Sequence, residues 1–223
     1  VPDTAAKTLT DIRGVSVCLI CHEPDRWYSS ADPEVRDRLR AGTELHLDRY
    51  GVSELADILD RRAQVGLAPG AVDRERLEQI ADDVAGVARD GIQTLRYAAE
   101  VATEAGRDRI RAADLEAGRV RAEQAIREAN LRSLPFRYQF LYAAIRNAGE
   151  ISSGAIYEHY DAVGDRVWRG RSGTPPSRRT IRDHLRKLRE YDLIESADSV
   201  HRAIDPSLEP THDGIDIAVD APQ

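Results

Sequence analysis

The sequence predicts a mainly α fold: the remnant of an α/β core at the start, a helical bundle in the middle, and a C-terminal winged helix-turn-helix. Three observations carry this. Apolar residues recur at helical spacing through most of the chain from residue 51 to residue 190. The run Val15–Cys21 is apolar on both alternating faces apart from Ser16, the pattern of a strand buried in a parallel sheet. Finally, three amphipathic helical segments are followed by two short β-prone runs, the element order of a winged helix.

The first part, 1–47, holds that strand, then a loop, a short helix around Glu34–Arg40 and a further short strand at Thr43–Leu47. In 48–132 the periodicity is helical. "SELADILDRRA" puts Leu55, Ile58, Leu59 and Ala63 on one face, and "RERLEQIADDVA" does the same with Leu77, Ile80, Ala81 and Val84. "DGIQTLRYAAEVATEA" repeats it with Ile92, Leu95, Ala98, Ala99 and Ala102. Gly-bearing turns separate these at 66–70 and 105–109. A longer, arginine-rich helix, about Ala112–Asn130, connects the bundle to the C-terminal region.

Residues 133–205 form the winged helix. "FRYQFLYAAIRNA" and "SSGAIYEHYDAV" are its first two helices, and "SRRTIRDHLRKLREYDLIES" is a third that runs into a strand. "LIESA" and "VHRAI" make a hairpin across Asp198-Ser199. The tail, 206–223, is acidic and proline-bearing, and is expected to be disordered.

With 223 residues, 32% charged and 41% hydrophobic, a soluble globular protein in the cytoplasm is the expected class. No run approaches the roughly 20 apolar residues of a membrane span, and no membrane partner is expected. Lys7 and Lys187 are the only lysines, so nearly all the positive charge is arginine. Methionine is absent even at position 1, from which a chain cut from a longer reading frame is expected.

Cys18-Leu19-Ile20-Cys21-His22 has the C-x-x-C-H spacing of c-type haem attachment. On a strand, however, residues three apart point to opposite faces and lie about 10 Å apart, too far to share one zinc. No second Cys pair or His cluster accompanies them, since the histidines at 22, 46, 159, 184, 201 and 212 are scattered. The two cysteines are therefore expected as buried apolar residues, with no metal bound.

The charge distribution points to a partner. From Asp165 to Arg189 nine basic residues face two acidic ones, inside a chain of net charge −7. At about 100° per residue, Ile181, Leu185 and Leu188 define a buried side of the third helix. Arg178, Arg189, Arg182, Arg186 and Arg179 then form one contiguous exposed face, and Ser177 is its N-cap. Guanidinium forks suit phosphates and guanine edges, so double-stranded DNA is the expected partner. Arg169 and Arg171 in the preceding loop extend the basic surface, and Arg202 with His201 offers contacts from the wing. Trp168 and His184 are expected to pack rather than to touch DNA.

Taken in order, these pieces resemble the C-terminal part of the archaeal replication initiators, AAA+ proteins related to the origin recognition complex and cell-division-control family. "VSVCLICH" stands where that family has its sensor 1 strand, and "DPEVRDRL" at its arginine-finger position. "YGVSELADILDRR" resembles the start of the lid, and "GVARDGIQTLRYAAEVA" the sensor 2 helix. The resemblance implies that 1–47 is the truncated end of an AAA+ core and 48–132 the lid. It also implies that the winged helix grips origin DNA, and that Arg89 is the sensor 2 arginine. Helicase or other initiator subunits become partners by the same implication.

The chain departs from the family at several places. His22 replaces the usual asparagine, and Glu34 stands at the arginine-finger position, leaving Arg36 or Arg38 as substitutes. No G-x-x-x-x-G-K-[ST] loop and no strand ending in paired acidic residues is present, so no cofactor is expected in this chain and it should be inactive as an ATPase. ATP and magnesium would enter only with a full core. Two other readings stay open: a winged-helix transcription regulator, or one half of an ATP-dependent initiator and helicase loader whose Walker motifs lie upstream.

Overall fold

The computed structural model describes residues 8, 12, 14, 16, 18–21, 24–42, 44–168, 175–212 and 215. The chain divides into two compact units, Val1–Asp48 and Arg49–Gln223.

In the first unit the described elements are α1 (Pro24–Ser30) and α2 (Pro33–Arg40). Asp32 caps α2 by accepting the Glu34 N–H at 2.9 Å, Pro33 starts it, and Val35 and Ala31 are buried. Helix α1 stands where the sequence pattern predicts a loop. Neither of the two strands expected in this unit is seen among the described residues. Ser16, 18–21 and 44–50 belong to no strand, Ile20 and Leu47 are 89% and 86% exposed, and both cysteines are exposed rather than buried. An apolar run becomes a buried strand only when other strands take up its backbone hydrogen bonds. Among the described residues of this unit there are none.

The second unit begins with a bundle of α3 (Val52–Gly66), α4 (Arg74–Asp83), α5 (Ala88–Glu104) and α6 (Ala112–Ser133). Its core joins Leu55, Leu59, Leu77, Ile80, Leu95, Ala98 and Leu115, the apolar stripe of each helix. Caps fix the boundaries. Asp73 accepts from the Arg76 N–H at 3.1 Å, and Glu54 reaches back to the Gly51 N–H at 2.9 Å. Asp114 accepts the Arg111 N–H at 2.8 Å and is held by Arg107, although its carboxylate is buried. Burial pushes that carboxyl's pKa up, but the Arg107 and Arg111 hydrogen bonds outweigh it and leave it below the usual carboxylate range.

Helix α6, 22 residues long, runs on into the second core, where Leu131 is buried. That core belongs to α7 (Phe136–Ala148), β1 (Glu150–Ser152), α8 (Ser153–Trp168), α9 (Arg178–Glu190), β2 (Ile194–Ala197) and β3 (Val200–Ala203). The three strands form an antiparallel sheet in the order β1-β3-β2. The sequence pattern predicts only the two-stranded wing, and β1 is an addition to it. The hairpin turn falls at Asp198-Ser199, both left-handed with φ of 49° and 64°, as a two-residue type I′ connection requires.

A correction concerns the tail. Its first part does not behave as a disordered segment. Leu208 and Ile215 are buried, and Gln139, itself fully buried on α7, accepts the Thr211 N–H at 2.7 Å. The same amide donates to Leu131 O and Leu134 O at 2.9 and 3.0 Å, while the Tyr142 hydroxyl donates to Asp205 O at 2.7 Å. Residues 205–212 are thus a strap across α7.

Candidate nucleic-acid interface

Helix α9 is built as its periodicity requires. Ile181, His184, Leu185 and Leu188 are buried, and Ser177 caps the start by accepting the Thr180 N–H at 3.2 Å. His184 packs on Tyr138, with ring centroids 4.3 Å apart. Burial, helped by Arg137, holds its imidazole below the ordinary pKa. Trp168 is also buried, edge-on to Phe136 at 5.5 Å. Both residues belong to the core.

On the outer side of α9, Arg179, Arg182, Arg186 and Arg189 follow one another at spacings of three, four and three residues and line one open groove. The other wall is the wing and the start of α8: Ser153, Ser196, Asp198, Ser199 and His201. The groove encloses about 720 Å³. Four arginines face two carboxylates there, Asp183 and Asp198.

Among the described residues Arg179, Arg182 and Arg189 make no ion pair, while Arg186 lies 2.9 Å from Asp183 and 3.8 Å from Glu190. Those groups are about half exposed, so the pairs hold Arg186 only weakly against a stronger anion. Four like charges along one helix face destabilise the helix slightly when nothing sits opposite them. A polyanion reverses that effect.

The other sequence-derived candidates fall elsewhere. Arg178 turns away from the stripe, its guanidinium over the Tyr157 ring at 5.2 Å. Arg202 is not in the groove. It follows His201 on β3, so its side chain takes the opposite face, where it donates to Glu195 at 2.6 Å with Glu150 across the ladder. His201 is buried rather than presented at the tip of the wing. Arg169, Arg171 and His22 lie outside the described residues.

Arg89 is the second residue of α5 and exposed. Its neighbour Asp90 is partly buried. Burial pushes that carboxyl's pKa up, with the Arg89 charge opposing and the Asp192 charge adding. Arg38, one of the two expected substitutes for Glu34, donates to Glu34 itself at 3.2 Å within α2. Ser153, Ser196 and Tyr157 are not among the residues that sequence reasoning singles out. Nothing in their local sequence marks them, since only the packing of α8 and the sheet brings them to α9. Among the described residues no cluster of His, Cys, Asp and Glu could hold a metal, and no helix is long and apolar enough to cross a membrane.

Residues 56–120 match the Cdc6 AAA+ ATPase-type lid domain, which corresponds to the bundle from α3 into α6. ORC1-type DNA replication protein 9 of Halobacterium salinarum is 32% identical over 181 residues, 81% of this chain and 49% of that protein. ORC1-type DNA replication protein 1 of the same organism is 28% identical over 169 residues, 76% of this chain and 52% of that protein. The chain spans about half the length of the curated relatives it matches.

Among solved structures, the Aeropyrum pernix ORC1 protein in complex with DNA superposes with a TM-score of 0.56 at 21% identity, covering 87% of this chain and 52% of that one. This likeness shows the fold, a lid followed by a winged helix. Over the part of these relatives that it spans, the chain belongs to the archaeal ORC1/Cdc6-type family of AAA+ replication initiators.

Proposed function

We propose that this chain contacts duplex origin DNA through its winged helix, with α9 laid against the duplex and the groove arginines on its phosphates. The single observation that carries this is the stripe of Arg179, Arg182, Arg186 and Arg189, one sign of charge gathered in one open groove of an acidic chain. The relatives named as DNA replication proteins, and the A. pernix ORC1 fold in complex with DNA, support the same reading. Physically the stripe does two things. It releases counterions from the duplex, which supplies affinity without sequence preference. Its guanidinium forks then offer bidentate contacts to guanine edges where the groove geometry allows.

Arg178, stacked on Tyr157, flanks this surface, and Arg169 and Arg171 belong to the same basic stretch of sequence. Arg202 contributes less, because Glu195 already holds it. In this reading the chain acts by binding DNA and not by hydrolysing nucleotide. Arg89 would supply one guanidinium to an ATP γ-phosphate, but one exposed arginine does not make a nucleotide site, and the glycine-rich phosphate cradle is not in this sequence. Replicative helicase or other initiator subunits complete the reading as partners of the assembled protein.

The test is a double charge reversal, Arg182→Glu with Arg186→Glu, in the full chain. Duplex affinity at low salt should fall by about a hundredfold or more, with the thermal midpoint little changed. Unchanged affinity would remove the DNA assignment.

A further inference from the structure

The floor of the arginine groove is a histidine placed between two serines. His201 sits on the central strand β3 and is 5% exposed. Its Nε2 lies 2.9 Å from Ser153 Oγ at the start of α8, and its Nδ1 lies 2.6 Å from Ser196 Oγ on β2. Donor accounting sets the direction of this chain. Ser153 Oγ has the Ser199 carbonyl as its own acceptor at 3.4 Å, so it gives its proton there and accepts from Nε2–H. Nδ1 then carries the lone pair, and the Ser196 hydroxyl proton is committed to it. In that state both serines offer the groove only lone pairs, which a phosphate oxygen avoids.

The neutral ring is what its surroundings favour. Burial first, and then the Arg189 charge, hold the imidazole below its ordinary pKa. The other charged groups at the groove are Arg179, Arg182, Asp183 and Arg186 from α9 and Asp198 from the hairpin turn, while α8 contributes only the uncharged Ser153. Glu195 and Glu150 lie opposite Arg202 on the other face of the sheet.

A phosphate in the groove changes both terms of that balance. Its charge offsets the arginine field that disfavours an imidazolium. An imidazolium donates from both nitrogens, so Ser196 becomes an acceptor from Nδ1 and its proton is released. We propose that His201 takes up a proton from solvent when a phosphate group occupies the groove, and that this turns the Ser196 hydroxyl into a donor to that phosphate. The inference rests on the DNA-contact reading of the groove. It makes His201 a positioning residue whose charge state is linked to binding. DNA raises the ring's pKa, so affinity rises as pH falls through the bound-state value and levels off below the free-state one.

The experiment is fluorescence anisotropy of a labelled mixed-sequence duplex with the full chain at fixed salt, from about pH 8 to about pH 5. It is run on the natural sequence, His201→Gln and Ser196→Ala. The natural sequence should tighten toward acid, by about tenfold if DNA moves the ring's midpoint by one pH unit. H201Q should lose that gain. S196A leaves the imidazolium's Nδ1–H without its acceptor and the phosphate without the hydroxyl donor, so its midpoint should move to lower pH, which a merely structural serine would not produce.

An H201Q profile matching the natural one, or an S196A midpoint that does not move to lower pH, overturns the proposal. Binding with no pH response sinks this inference alone, whereas no binding at any pH sinks the DNA reading and this inference with it. Should H201Q fail to fold, the His201 ring titrated by NMR with and without inorganic phosphate decides. An upward shift supports the proposal and an unchanged midpoint overturns it.

Discussion

Gly118 on α6 lies directly against the backbone of Ala98 on α5: a Cβ at position 118 would stand 2.4 Å from the Ala98 nitrogen and 2.7 Å from its Cα. The two helices therefore meet backbone to backbone, and the side chain that is missing sets their separation.

Gly118→Ala should consequently destabilise the bundle even though alanine is the better helix former. Overpacking against rigid backbone costs about 2 kcal/mol or more, against the roughly 1 kcal/mol that helix propensity returns. A lowered thermal midpoint by circular dichroism is the expected result. A raised one would mean that α5 and α6 separate without cost.

Asp114 makes a pH-dependent contribution. Its folded-state pKa is lowered, so its stabilisation is present above the unfolded value of about 3.9 and is lost as pH falls through the folded value. Asp114→Asn should cost about 1–3 kcal/mol at neutral pH, because Arg107 and the Arg111 N–H lose a charged acceptor. The difference between the two proteins should shrink in acid. Urea midpoints measured across that range would show a constant gap if the carboxylate has no such role.

Gln139 is the hinge of the strap. Gln139→Leu keeps the volume but leaves the Thr211 and His212 N–H groups without their acceptor and takes one donor from each of the Leu131 and Leu134 carbonyls, a loss of about 2–3 kcal/mol. Limited proteolysis should then cut near residues 205–212 much faster than in the natural chain. Equal cleavage rates would show that Leu208 and the Tyr142 and Arg146 hydrogen bonds hold the segment without Gln139.

Single neutralisations should separate the groove from the wing. Arg182→Gln should weaken duplex binding across sequences and reduce the slope of log affinity against log salt by about 1. Arg202→Gln should leave that slope nearly unchanged, because Glu195 already offsets the charge. Equal effects from the two would place the phosphates on the wing as well as in the groove.

By itself the sequence determined most helices of the second unit, the arginine face of α9 and the hairpin at Asp198-Ser199. Helical hydrogen bonds and two-residue turns close within a few residues, so a periodic run such as "SELADILDRRA" already contains its own partners. Tertiary structure decided everything whose partner lies far along the chain. "VSVCLIC" has the composition of a buried strand, yet its described residues pair with nothing. Three residues at Glu150–Ser152 became β1 because β3 was there to receive them. Five arginines shared one wheel, but Tyr157 drew Arg178 aside, and Arg202 of the wing is held by Glu195 on the far face of the sheet. Local pattern states which side of an element is apolar or charged; only packing supplies the opposing group that gives that side its role.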